Sequence, residues 1–446
     1  MEPRACQVKA QLRPLGRPVI STLSNYALRY TRRASKLSYK YTARGCIFTL
    51  FVVNVLLYAV TVISTEILVI TFYLGYHLCQ RVEHSTDAER KQLKILKSEE
   101  TSLLKQVIRV MGIDFAPAAT PLTRRLQTLA AALCSFSFLF AGIFFTVLAI
   151  ILSFSNLYWI VILYTGWYVY DFRTHEKGGH RVHWYRRWKL WTKMAEYFPI
   201  CLIKTAGLPA DRNYIMGYHP HGIMAAGSFI NFGTEGTGFA KLFPGIAPHL
   251  MTLTLNFMFP FYRDLLLGLG IVSVCRDSLD WILKNKGVGN AAIIVVGGAQ
   301  EALDAHRNAD IALTLTSRKG FIKIALQNGA DLVPVFSFGE NNVYAQAANP
   351  PGSKLRDIQM RFKRIVGFSP PVFHGRGLLQ YSCGYVPFRT RITTVVGAPI
   401  RVTQVLKPTQ QQIDDLHAKY VAALKDLFET HKTMAGCDPR HTLIIG

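Results

Sequence analysis

Acidic side chains are scarce in this chain. Its 446 residues hold 27 Asp and Glu against 51 Lys and Arg, a formal net charge of +24, which favours polyanionic neighbours. Charge of either sign is thin as well: 17% of residues are charged, 50% are hydrophobic and the mean hydropathy is +0.19. That balance is too apolar for an ordinary soluble enzyme and points to a membrane. The eight cysteines (Cys6, Cys46, Cys79, Cys134, Cys201, Cys275, Cys383, Cys437) form no Cys-x-x-Cys pair, so they read as reduced thiols and not as a disulfide frame. No Asn-x-Ser/Thr sequon occurs, in keeping with little lumenal exposure. Internal repeats and low-complexity segments are also missing. No basic helix carries base-reading residues and no zinc-finger spacing is present, so nucleic acid is a poor match for the charge. Anionic lipid headgroups and a phosphate-bearing substrate match it better.

Residues 1–45 carry ten basic side chains, from Arg4 to Arg44, against one acid, Glu2. They read as a cytosolic tail drawn to an acidic membrane surface, with a mitochondrial presequence as the other reading. An extra apolar segment follows at 46–80, with Asn54 and Glu66 as its strongly polar members, and then a basic linker at 81–125. A second apolar tract runs from Leu126 to Tyr170 and is interrupted by Ser153-Phe154-Ser155-Asn156. A spanning helix needs about 20 apolar residues. The tract is therefore expected to form a membrane helical hairpin over 126–172, with legs Leu126–Leu152 and Leu157–Tyr170. Basic residues flank both tracts, and the positive-inside tendency puts all the flanks in the cytosol. The hairpin meets that condition; for 46–80 a single span and a re-entrant pair both stay open. Over 171–200, Trp184, Tyr185, Arg186, Arg187, Trp188 and Trp191 give the pattern of a helix at the membrane–water boundary, or of a plain amphipathic core helix.

From Asn213 onward, strand-like apolar runs at Tyr214–Tyr218, Ile271–Cys275, Ala291–Val296, Leu332–Phe336 and Ile392–Val396 alternate with helical stretches such as Ser278–Lys284 and Lys319–Gln327. This predicts an α/β fold with a mostly parallel sheet flanked by helices, in a catalytic domain over 173–446. Thr409, Gln412, and then Ile413, Leu416, Tyr420, Leu424 and Leu427 predict a capped amphipathic helix whose role is packing.

One stretch, Tyr-Ile-Met-Gly-Tyr-His-Pro-His-Gly ending at Gly222, runs an apolar strand into a turn bearing His219 and His221. Imidazole has the side-chain pKa nearest neutrality, so two on one turn point to proton transfer; a solvated turn is the bland alternative. Three further blocks follow. Gly270–Arg276 is a strand ending in arginine, Val295–Glu301 is one ending in Gly297, Gly298 and Glu301, and Leu332–Val335 contains a proline that suits a strand start or edge. Ligands of open α/β sheets sit beyond the carboxyl ends of strands, so Arg276 and Glu301 are candidates to converge with the histidines. A structural ion pair is the competing role for each.

The order of these blocks resembles that of glycerolipid acyltransferases: a histidine motif, a Gly…Arg strand, a Gly-rich block with glutamate, and a Val-Pro-Val strand. Those enzymes usually place aspartate five positions after the histidine, where this chain has Met224. The His-Pro-His-Gly form is instead similar to that of the acyl-CoA:diacylglycerol acyltransferase type 2 family, which also includes monoacylglycerol, wax and retinol acyltransferases. The likeness runs through GYHPHGIMAAGSFINF, IIVVGGAQEAL and SRKGFIKIALQNGADLVPVFSFGENNVY and covers roughly residues 120–446. Two smaller departures are Ala141, where the family's proposed neutral-lipid motif has leucine, and Gln300, where alanine is common.

The resemblance implies a glycerolipid-acyltransferase-like fold anchored by the N-terminal hydrophobic hairpin. It implies esterification of diacylglycerol by fatty acyl-CoA to give triacylglycerol, at the endoplasmic reticulum membrane, with a cytosolic catalytic domain and access to lipid-droplet surfaces. His219 or His221 would be the general base, with Glu301 holding the imidazolium. Backbone amides at Gly222, Gly297 and Gly298 would meet the oxyanion. Arg276, Arg318 and Lys319 are candidates for the CoA phosphates, and His374 and Arg376 are further candidates. No metal or resident cofactor is expected, because no ligand cluster has metal spacing; acyl-CoA is a co-substrate. The expected partners are acyl-CoA, diacylglycerol and membrane lipids, with homo-oligomerisation left open. Monoacylglycerol, retinol or a long-chain alcohol could replace the acceptor, and a phosphate-bearing acceptor is opposed by Met224. A non-catalytic, membrane-shaping lipid-droplet protein is the alternative from a different class.

Overall fold

The structure, a computed structural model, describes residues 108–446 apart from 111, 112, 118 and 367–370. The expectations for the tail at 1–45, the apolar segment at 46–80 and the linker up to residue 107 lie outside the described residues.

The second apolar tract forms a helix, an abrupt turn and a second helix. Helix α1, Leu122–Ser153, is 32 residues long, about 48 Å at 1.5 Å per residue. It starts directly after Pro121, and a π-helical turn interrupts it at Ser137–Ala141. Ala130, Ala131, Ala132 and Ser135 are buried, whereas Leu126, Leu129, Leu133, Phe138, Phe144, Ile150 and Ile151 are exposed. Small residues therefore face the protein and bulky apolar ones face outward, the inverse of a soluble helix. Helix α2, Tyr158–Tyr170, buries none of its 13 residues and at about 20 Å is shorter than a bilayer's hydrocarbon core. Among the described residues α1 is the one helix long and apolar enough to cross a membrane.

An ion pair and two hydrogen bonds bolt α2 to the domain behind it. Arg263 is fully buried and pairs with Asp171, the residue that ends α2, at 3.0 Å. Asp264 accepts from Tyr164 Oη at 2.6 Å and from Trp167 Nε1 at 3.1 Å. Of the two readings of 171–200, the amphipathic core helix describes the part around Trp191. The segment breaks into short turns and helix α3, Lys189–Tyr197, which buries Trp191, Met194, Ala195 and Tyr197. Arg186 does not snorkel: it is buried and donates to the carbonyl oxygens of Gly233 and Phe232. Trp184 and Trp188 stay exposed.

The α/β expectation holds. Seven strands form one sheet: β1 (Cys201–Lys204), β2 (Tyr214–His219), β3 (Ala247–Thr252), β4 (Val272–Ser273), β5 (Asn290–Val295), β6 (Asp331–Phe338) and β7 (Thr393–Val396). Their order is β1-β7-β6-β2-β5-β3-β4, and every neighbouring pair is parallel except β7 with β6. The central strands β2 and β6 are buried along their whole length, which explains their unbroken apolar sequences. Pro334 is not at an edge, contrary to expectation. It lies just outside the antiparallel ladder, which covers Val335–Phe338, so its missing N–H removes no bond there, and its carbonyl accepts from Gly397 N–H at 2.9 Å. Flanking helices are α4 (Arg276–Asn285), α5 (Gly298–Ala302), α6 (Gly320–Asn328), α7 (Lys354–Val366) and α8 (Gln410–His431). Helix α8 opens with the expected reciprocal Thr409–Gln412 cap.

Candidate active site

Three adjacent central strands, β6, β2 and β5, deliver chemistry at their carboxyl ends. His219 ends β2, Glu301 follows β5 through Gly297 and Gly298, and Glu340 follows β6 through Gly339. This is where the strand-end rule places ligands.

His219 is fully buried, and its Nε2 lies 3.0 Å from Tyr420 Oη on α8. Tyr420 gives its single proton to the Gly217 carbonyl at 3.1 Å. Nε2 must then be the donor in the His219 contact, leaving Nδ1 as a bare lone pair that is buried without a partner. Gly217 is glycine for a plain reason: the Tyr420 hydroxyl occupies the place of its Cβ. Burial pushes the His219 imidazole down to about 3, so the ring is neutral.

His221 is half-buried. Its Nδ1 lies 2.9 Å from the Gly222 carbonyl oxygen, and a carbonyl can only accept. Nδ1 therefore carries the proton and Nε2 is the open nitrogen. Burial lowers its pKa as well, against the opposing pull of that carbonyl. Gly222 takes φ +58°, and a Cβ there would sit 2.7 Å from Glu340 Cγ.

Glu301 is brought to the turn, but not to either ring. Its Oε1 accepts from the backbone N–H of His221 at 2.5 Å and its Oε2 from that of Thr314 at 2.9 Å. This corrects the triad-like role expected for it. The carboxylate fixes the turn's backbone, and through it the ring. Burial pushes its pKa up to about 7, with both amides pulling the other way.

The remaining candidates divide. Arg318 is exposed in the turn before α6, near enough for its charge to lower Glu301. Lys319 is tied to Asp414 at 2.7 Å. Arg276 follows edge strand β4, three strand spacings or about 14 Å from β2, and bonds Asp280 and Gln327. His374 packs edge-on against Phe388 at 5.9 Å and Arg376 stacks over Tyr381 at 4.4 Å. Lys319, Arg276, His374 and Arg376 thus make their contacts elsewhere than with the histidine turn. Among the described residues no three His, Cys, Asp or Glu side chains gather as metal ligands.

Sequence reasoning missed Glu340 and treated Tyr420 as packing alone. Glu340 is buried beneath the turn; its Oε2 accepts from Tyr218 Oη at 2.9 Å and Gly227 N–H at 3.0 Å, while Oε1 has no partner. Burial pushes it up to about 7. A signal was there: Phe-Gly-Glu after the Val-Pro-Val strand repeats the strand–glycine–carboxylate pattern of the Glu301 block.

A family model described as diacylglycerol acyltransferase matches residues 150–446. The chain belongs to that family. Within it, the chain is 46% identical over 336 residues to 2-acylglycerol O-acyltransferase 1 of Bos taurus, covering 75% of this chain and 99% of that protein. It is 47% identical over 325 residues to diacylglycerol O-acyltransferase 2 of Danio rerio, covering 73% and 90%, and 47% identical over 314 residues to that of Homo sapiens, covering 70% and 81%. A solved 1-acyl-sn-glycerophosphate acyltransferase from Thermotoga maritima, at 12% identity, overlaps 68% of this chain and 95% of its own with a TM-score of 0.33, too loosely to bear on the fold. The four blocks that carried the resemblance, from Tyr214 to Val335, all lie inside the matched segment.

Proposed function

We propose that this family member is an acyl-CoA-dependent O-acyltransferase that esterifies diacylglycerol to triacylglycerol, with His221 as the general base. The observation that carries the assignment is the bond from His221 Nδ1–H to the Gly222 carbonyl, which leaves Nε2 unprotonated on the half-buried side chain. His219, sealed against Tyr420, supports the turn. The acceptor hydroxyl gives its proton to His221 Nε2 as its oxygen bonds to the thioester carbonyl carbon. Backbone amides around Gly222, Gly297 and Gly298 face the resulting oxyanion. Collapse breaks the carbon–sulfur bond, and the imidazolium returns the proton to the departing CoA thiolate. A lowered imidazole pKa keeps the base neutral at physiological pH.

His221→Ala should lower kcat by about 10²–10⁴-fold in membranes at equal protein level. His219→Gln, which retains a donor for Tyr420, should lose far less. Near-normal turnover by His221→Ala, or the reverse ranking, would remove His221 from the role. The similar identities to relatives named for 2-acylglycerol and for diacylglycerol support monoacylglycerol as a second acceptor, and an acceptor panel with labelled acyl-CoA decides between them. The apolar hairpin and a substrate that does not leave lipid support residence in the endoplasmic reticulum membrane, with lipid-droplet surfaces within reach.

A further inference from the structure

Two basic side chains of α7 contact α5 and the residues just after it, and a third lies within electrostatic reach of the helix that carries Gln300 and Glu301. Lys363 on α7 donates to Gln300 Oε1 at 2.9 Å. Arg356, on the same helix, pairs with Asp304 at 2.8 Å, two residues past α5. Arg318 comes from the turn before α6, and its charge acts on both Glu301 and Lys363. Their compensation differs. Asp304 neutralises Arg356, as Asp280 does Arg276 and Asp414 does Lys319. Among the described residues no carboxylate forms an ion pair with Arg318 or Lys363. An ammonium has three donors, of which Gln300 takes one, and a guanidinium has five. Two cations with donors to spare thus stand beside the helix whose glutamate holds the His221 backbone. Asp304 and the Glu301 carboxyl act on these three cations from nearby, but three positive side chains outnumber the two acids, and a bound anion would offset the remaining repulsion.

We propose that Arg318 and Lys363 form a phosphate-binding subsite for the nucleotide end of acyl-CoA, with Gln300 positioning Lys363. The subsite rests on the acyl-CoA-dependent reading given above. Of the three cations that the sequence nominates for this task, two are already engaged by carboxylates and one, Arg318, is retained.

The test compares a long-chain acyl-CoA with the matching S-acyl-pantetheine, which keeps the thioester and lacks every phosphate, using the full chain in membranes with diacylglycerol. Arg318→Gln and Lys363→Gln should each raise KM for acyl-CoA about tenfold, equivalent to about 1.4 kcal/mol, with kcat changed less than about twofold. Each should also shrink the preference for acyl-CoA over S-acyl-pantetheine by the same factor. Gln300→Ala should give a smaller rise in KM alone, and Arg276→Gln should leave the preference as it is. An unchanged KM in both charge variants, or equal losses on the two thioesters, overturns the subsite. Weakened binding to anionic vesicles at constant KM also overturns it and assigns the cations to lipid headgroups. A parent protein that consumes neither thioester refutes instead the acyltransferase reading beneath it.

Discussion

Glu301 and Glu340 sit on either side of the histidine turn, and burial pushes both up to about 7 from an ordinary 4.5. A carboxyl group raised in this way binds an extra proton in the folded state. Its contribution favours the fold below pH 4.5 and is lost as pH rises through about 7, on the order of 3 kcal/mol for each group. His219 and His221 act in the opposite direction, because neutral buried imidazoles favour unfolding as pH falls below 6.5. The difference between a variant and its parent therefore isolates the carboxylate. Glu340→Gln keeps an oxygen for Tyr218 and Gly227 and cannot ionise. Its stability relative to the parent, followed by thermal unfolding in detergent, should increase between pH 5 and pH 8. Parallel pH profiles for the two proteins would contradict this. At this scale the sequence exposed His219, His221 and Glu301 because they punctuate strands with polar groups. It hid Tyr420, whose ring occupies an ordinary packing position on α8 while its hydroxyl reaches a strand 203 residues away.

The elements most open to reading were those governed by local chemistry: the alternating strands, the Thr409–Gln412 cap and the break between α1 and α2. The segment after α2 kept two readings because aromatic and basic residues look alike whether they lie on a membrane or under a loop. Arg186 and Trp191 took the second course. The junction of α2 with the domain rests on Arg263 and Asp171, both buried. Arg263→Ala would leave Asp171 with His180, at 2.6 Å, in place of a permanent counter-charge and should destabilise the protein by about 3 kcal/mol, the lower end for a broken buried pair. The surface pair Lys193–Glu196 should matter little by comparison. Thermal unfolding of both alanine variants in one detergent gives the ranking, and equal effects would mean that the Arg263 site is open to water.

At the scale of the whole molecule, the proposed membrane residence has two different sources of attraction, a net charge of +24 and an apolar hairpin. Attraction between surface charges is screened within about 3 Å at 1 M salt, whereas burial of apolar legs is not. The protein should stay in the membrane pellet through a 1 M salt wash and leave it with detergent. Release by salt alone would mean that the exposed faces of α1 and α2 cover something other than lipid.

The sequence by itself determined the class of fold, the apolar helical hairpin and the histidine turn. Each depends on short-range patterns: strand runs bounded by glycine, a long stretch without charge, two imidazoles on one turn. Only the tertiary structure decided which imidazole nitrogen is open, which carboxylates lie beneath it and which cations are left out of direct ion pairs. Those properties depend on what burial removes from water and on protons shared between residues far apart in the chain, and no local pattern records either.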